Sequence, residues 1–200
     1  PSRQALQALL RVLENGILAI DMSCNTRKTF CMVFSPRQKR KVVSPHFPPL
    51  RLFGTDLLYV DNFKYLGHII DNKLNDDADI QREIRNLFTR ANILTRRFSL
   101  CSQSVKVALF KSYCISLYGC ALWRNNTVSS LSKLRSCYHR CVKTFFGYKR
   151  HDSMTAVLFK LSIPSFNTLL HNSRCILRSQ TVNCINSLLQ ACCNRVAAII

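Results

Sequence analysis

From Asp76 onward the apolar residues of this chain recur every three to four positions, and that period limits what the second half can become. Ile80, Ile84, Leu87, Phe88, Ala91, Leu94 and Phe98 mark one stripe of a long helix. Asp76, Asp77 and Asp79 stand at its start, where carboxylates favour the N-terminal end of the helix dipole. A stripe this wide must be covered. Helices predicted over 104–122, 129–146 and 154–161, with one or two more within 167–193, supply the cover, and Gly147 and Pro164 punctuate them.

Upstream of residue 73 the pattern is shorter and mixed. Leu6, Leu9, Leu10 and Leu13 predict a helix over 3–15 that stops at Asn15-Gly16, and an apolar run follows at 17–20. Thr29–Phe34 reads as a buried strand ended by Ser35-Pro36. Short strands are expected near 50–53 and 57–60 with Gly54 turning between them, then a hairpin of 63–66 and 68–70 around Gly67. The expected fold class is α+β: a small N-terminal part with one helix and short antiparallel strands, then an all-α region. The expected divisions are 1–72, 73–150 and 151–200.

Charge is distributed as unevenly as structure. The net formal charge is +19. Up to Glu83 there are twelve Lys and Arg against nine Asp and Glu; beyond it there are seventeen against Asp152 alone. That asymmetry points to a polyanion as the partner of the second half. With 48% hydrophobic residues the chain has the means for a core. It has no run of the roughly 18 apolar residues a membrane span needs, so no membrane partner is expected. Pro1-Ser2-Arg3 opens the sequence without methionine or signal peptide, which suggests a piece of a longer reading frame. The basic run Arg37–Lys41 and the prolines at 45, 48 and 49 read as an exposed connection. Eleven cysteines, an odd number on apolar faces, read as reduced thiols acting as small hydrophobes. Cys137 and Cys141 lack the second ligand pair a structural zinc site uses, so no metal site is expected.

Three motifs carry chemistry. Leu6–Leu10 followed by Asn25-Thr26-Arg27-Lys28-Thr29 and Met32-Val33-Phe34, then Phe63-Lys64-Tyr65-Leu66-Gly67, then Leu117-Tyr118-Gly119-Cys120-Ala121-Leu122-Trp123, occur in that order. Together they resemble the late palm and thumb of a reverse transcriptase, more narrowly the RNA-directed DNA polymerase of a non-LTR, LINE-type (jockey-like) retrotransposon. The resemblance covers about residues 4–147, and no zinc-knuckle pattern occurs in the last fifty.

The resemblance implies an accessory role for Lys28 beside the incoming triphosphate, where a cation offsets developing negative charge. It implies a primer-grip role for Phe63, Lys64, Tyr65, Leu66 and Gly67. It implies a helical thumb that grips an RNA–DNA hybrid or duplex through phosphates. Arg82, Arg85, Arg90, Arg96, Arg97, Lys106, Lys111, Arg135, Arg140 and Lys143 are the candidates, followed by Lys149 and Arg150. Six to ten phosphate contacts would cost roughly three to five powers of ten in affinity between about 50 and 200 mM salt.

The family's catalytic aspartates belong upstream of Asn25. The only adjacent aspartates, Asp76-Asp77, fall after the Phe-Lys-Tyr-Leu-Gly hairpin, where a helix cap is expected. The expectation is thus a polymerase fragment, joined in life to the rest of its parent, inactive alone and without a cofactor; two Mg ions belong only to the full-length enzyme. Nuclear residence is implied by the family alone. A non-catalytic basic helical module that binds nucleic acid for its own purpose is the alternative, and an inert scaffold with incidental basic residues is the third reading.

Overall fold

The computed structural model describes residues 3–34 and 47–187 and is an α+β protein. The basic run 37–41 and residues 188–193 of the last expected helix lie outside the described residues. The chain divides into two compact units, Pro1–Asn75 and Asp76–Ile200. No helix among the described residues is long and apolar enough to cross a membrane.

In the first unit, α1 (Arg3–Ala19) does not stop at Asn15-Gly16 as expected. A helical glycine costs only about 1 kcal/mol against alanine, and open space surrounds Gly16. The stop comes later, where Asp21 takes a left-handed φ of 52° and the Met22 amide donates back to the Ile17 carbonyl at 3.0 Å. Two side chains of α1 bind the backbone of a neighbouring strand, β2 (Arg51–Leu52), and its turn. The Gln7 amide donates to the Arg51 carbonyl (2.8 Å) and accepts from the Arg51 N–H (2.9 Å), and Glu14 accepts from the Phe53 N–H.

Strand β2 pairs antiparallel with β3 (Thr55–Asp56). The expected strand over 29–34 is only β1 (Phe30–Cys31), and it runs parallel to β4 (Leu58–Tyr59), against the expectation of antiparallel pairing throughout. Strands β5 (Asn62–Tyr65) and β6 (His68–Asp71) form the expected hairpin, with Phe63 opposite Ile70 and Tyr65 opposite His68. Its two-residue loop, Leu66-Gly67, has φ of 46° and 86°, and Phe53-Gly54 joins β2 to β3 with 48° and 72°. Two successive positive φ values give the turn whose twist matches that of paired strands. Leu50, Leu52 and Leu57 form a small core against Leu10, Cys24, Cys31 and Phe53. Leu6, Leu9 and Leu13 stay exposed.

The second unit is helical: α2 (Asp77–Phe98), α3 (Gln103–Cys114), α4 (Val128–Phe146), α5 (Met154–Leu161) and α6 (Phe166–Val182). The stripe Ile80, Leu87, Ala91 and Leu94 is buried as its period requires, and α2 packs along α3 and α4. Phe110 of α3 meets the rings of Tyr138, Phe145 and Phe146 at 5.8 to 6.2 Å, which fixes α3 on α4. Val157 and Leu161 of α5 and Phe166 of α6 belong to the same core, so residues 151–182 are not set apart from 76–150. The Tyr138 hydroxyl, donating to the Pro164 carbonyl at 2.8 Å, ties α4 to the α5–α6 link.

The helix expected over 104–122 ends at Cys114. Gly119 has a φ of 77° and opens a single 3₁₀ turn, Cys120–Leu122. Its role is the left-handed corner that only glycine enters freely, inside the span expected to be helix. Cys114, Cys137 and Cys141 are buried in the core, as small apolar thiols would be. Desolvation pushes Cys114 up to about 11, and a hydrogen bond with Cys137, then burial, raises Cys141.

Candidate nucleic-acid interface

The acidic residues decide which basic ones are available. In the second unit the acids are Asp76, Asp77, Asp79, Glu83 and Asp152, and each is held in a specific hydrogen bond. Asp76 occupies the N-cap position of α2 but makes no capping bond. Its Oδ2 accepts the backbone N–H groups of Arg124 (2.8 Å) and Asn125 (2.6 Å), and Asp77 Oδ1 accepts the Thr127 N–H at 2.9 Å. The expected capping role is thus replaced by a clasp that closes the loop after Trp123 onto the start of α2. Loop amides are hard to satisfy otherwise when a chain turns against a helix end.

Asp79 completes the clasp. It is 2% exposed, accepts Arg82 Nε at 2.6 Å and accepts the buried Trp123 indole N–H at 2.8 Å. Arg82 also bonds Glu83 at 3.2 Å, and its guanidinium lies 6.0 Å from the Tyr118 ring centre. Burial opposes the charge of Arg82, but the bonds and charges of Asp79 and Glu83 outweigh it and raise its pKa. Glu83, with no exposure, also receives a short ion pair from Arg90. The Leu-Tyr-Gly-x-x-x-Trp sequence therefore has a structural purpose: Gly119 turns the chain so that Trp123 reaches Asp79, with Tyr118 covering Arg82.

Arg82 and Arg90 are accordingly corrected as phosphate contacts, because buried carboxylates already hold their guanidinium groups. Lys143 is corrected as well. Its ammonium donates to the carbonyls of Arg150 (2.8 Å) and Asp152 (2.6 Å) and closes the turn after α4. Lys106 lies over the Phe145 ring at 5.9 Å, and Arg135 donates to Asn167 Oδ1 at 3.0 Å.

The side chains of Arg85, Arg96, Arg97 and Lys111 are exposed and make no hydrogen bond or ion pair among the described residues. Arg85 and Arg96 are three helical turns apart on the outward face of α2, about 16 Å along its axis. The Arg140 guanidinium lies 5.8 Å from the ring centre of Phe88. Phe88 is three residues from Arg85 and so shares its face. Arg140 thus lies over a half-buried aromatic ring on the face of α2 that also carries Arg85, with Arg96 farther along it. Lys133, missed in the sequence, is exposed two turns before Arg140 on the polar stripe Lys133, Ser136, Arg140 and Thr144. Its spacing of seven is the signal that would have found it.

In the first unit, Lys28 ends a 3₁₀ turn, Thr26–Lys28. Asn25 Oδ1 accepts the Lys28 N–H (3.2 Å), and the Thr29 hydroxyl donates to the Asn25 carbonyl (3.0 Å). Asn-x-x-Lys-Thr is therefore a self-capped turn that leaves the Lys28 side chain exposed. Phe63 meets Phe30 at 5.3 Å, while Lys64, Tyr65 and Leu66 are exposed. Among the described residues no group of His, Cys, Asp or Glu could hold a metal ion.

No protein-family model matches this chain, and no curated protein or solved structure matches it either.

Proposed function

We propose that the helical unit from Asp76 onward grips a nucleic-acid duplex through its phosphates, as the thumb of a retrotransposon RNA-directed DNA polymerase. In this reading the Phe63–Gly67 hairpin serves as a primer grip and Lys28 as an accessory cation. Asp76 and Asp77 hold a loop rather than metals. The observation that carries the reading is the division of charge. Every acid of the helical unit is held in a hydrogen bond within that unit, while Arg85, Arg96, Lys133 and Arg140 stand on outward faces without an acidic partner among the described residues. A surface of that kind attracts a polyanion and does not select a sequence.

Arg85→Glu combined with Arg140→Glu tests it by fluorescence anisotropy with an RNA–DNA hybrid. Both side chains are exposed, so helical content by circular dichroism stays unchanged while affinity falls more than tenfold. Unchanged affinity refutes the reading. A basic helical module without a polymerase is the second reading. It is favoured by one observation, that the core of the helical unit is built wholly from its own residues, Ile80 through Leu170.

A further inference from the structure

A cavity of about 210 Å³ opens between α4, α5 and the start of α6, and the phosphate-gripping reading leaves it unused. Its apolar lining is Met154, Leu158 and the buried Phe166. Its polar lining, Arg135, His139, Thr155, Ser165 and Asn167, carries no carboxylate. The volume is below the roughly 300 Å³ at which drug-sized ligand sites begin, and it accommodates one planar heterocycle.

The polar groups differ in what they offer. The Arg135 guanidinium lies 5.8 Å from the Phe166 ring centre and spends one N–H on Asn167 Oδ1, leaving further donors for an anion. Since Asn167 accepts through Oδ1, its amide NH₂ remains to donate. His139 has no hydrogen-bond partner among the described residues. Burial, then the charges of Arg135 and Lys143, hold its pKa below the ordinary histidine range. At neutral pH its ring is uncharged and presents one donor and one acceptor. A bare phosphate has no use for an apolar lining and can take only the donor of a neutral imidazole, not its acceptor. A nucleobase uses both, its faces on the apolar groups and its edge on the donors and acceptors.

We propose that this cavity takes the base of one unpaired nucleotide adjoining the gripped duplex. The ring lies on Met154 and Leu158, the polar edge meets His139 and Asn167, and the flanking phosphate sits on Arg135. The location of that nucleotide rests on the duplex-gripping reading; the pocket itself does not.

The test compares the whole chain binding a blunt RNA–DNA hybrid with the same hybrid bearing a short single-stranded overhang. The overhang binds about tenfold tighter, in line with one base stacked on an apolar surface. Thr155→Phe, which fills the cavity from α5 without removing a proposed contact, erases that advantage and leaves blunt affinity alone. His139→Ala reduces it. Equal binding of the two hybrids, or an advantage that survives Thr155→Phe, overturns the proposal. Should neither hybrid bind, the duplex reading fails and a second measurement decides the pocket. Adenosine monophosphate must then shift the His139 ring resonances in the wild type and not in Thr155→Phe. The same shift from inorganic phosphate marks an anion site and overturns the proposal, as does no shift from the nucleotide.

Discussion

Replacing Asp79 by alanine is expected to destabilise the helical unit by about 3 to 5 kcal/mol, the cost of breaking a buried ion pair by removing one partner. The magnitude follows from what Asp79 holds. Its two oxygens take the Arg82 Nε–H at 2.6 Å and the Trp123 indole N–H at 2.8 Å, and both partners are buried. Without it Arg82 keeps Glu83 and a long contact with the Tyr118 carbonyl at 3.5 Å, while Glu83 remains shared with Arg90. Trp123→Phe removes a single buried donor to the Asp79 carboxylate, for about 1 to 3 kcal/mol. Because the two positions touch, the double variant costs less than the sum of the singles by about 0.5 to 3 kcal/mol. Urea unfolding followed by circular dichroism measures all three. With a slope of about 1 to 3 kcal/mol per molar, Asp79→Ala lowers the midpoint by more than about 1 M. A loss below about 1 kcal/mol, or strict additivity in the double variant, refutes the buried clasp.

Three further outcomes follow from named residues. Cys114 has its ordinary value of 9.0 in the unfolded chain and about 11 in the fold. Its share of the helical unit's stability is therefore fully present below pH 9, and about 2 to 3 kcal/mol of it is lost as pH rises from 9 through 11; buried Cys120, Cys141 and Tyr138, raised as well, add to the alkaline loss, so Cys114→Ala reduces the difference between urea melts at pH 8 and pH 10.5 without abolishing it. Leu66 holds a left-handed φ of 46° with its side chain 72% exposed, so Leu66→Asn relieves turn strain and raises the stability of the first unit by about 1 kcal/mol in thermal melts. Gly119→Ala, at a φ of 77°, costs about 1 to 2 kcal/mol and weakens the seating of Trp123, seen as a red shift of its fluorescence.

Local signals made some elements legible and distant partners hid the others. The end of α4 could be read because Gly147 adopts the left-handed cap at φ 77° immediately after the last apolar position. The hairpin around Gly67 was readable for a similar reason: its loop needs two residues at positive φ, and a glycine supplies one. The end of α3 was not readable. Ile115, Leu117, Ala121 and Leu122 carry the apolar spacing past Cys114, and only the turn at Gly119 reveals the break. The site was legible as a sign of charge and not as a set of residues. Arg85, Arg90 and Arg96 look alike along α2, and what separates them is Glu83, seven residues from Arg90 and within reach of it. The clasp was hidden more deeply, because Asp76, Asp77 and Asp79 meet partners 44 to 50 residues away.

The salt dependence of hybrid binding tests the central claim most directly. With Arg82, Arg90 and Lys143 committed within the fold, Arg85, Arg96, Lys133 and Arg140 leave about three or four phosphate contacts. At about 0.9 ions released per contact, the logarithm of affinity falls against the logarithm of salt with a slope of about −2.7 to −3.6. Between about 50 and 200 mM salt that amounts to a loss of roughly 40- to 150-fold. A line of that slope supports a phosphate-gripping helical unit, and binding that is flat in salt, or absent at the lowest salt, contradicts it.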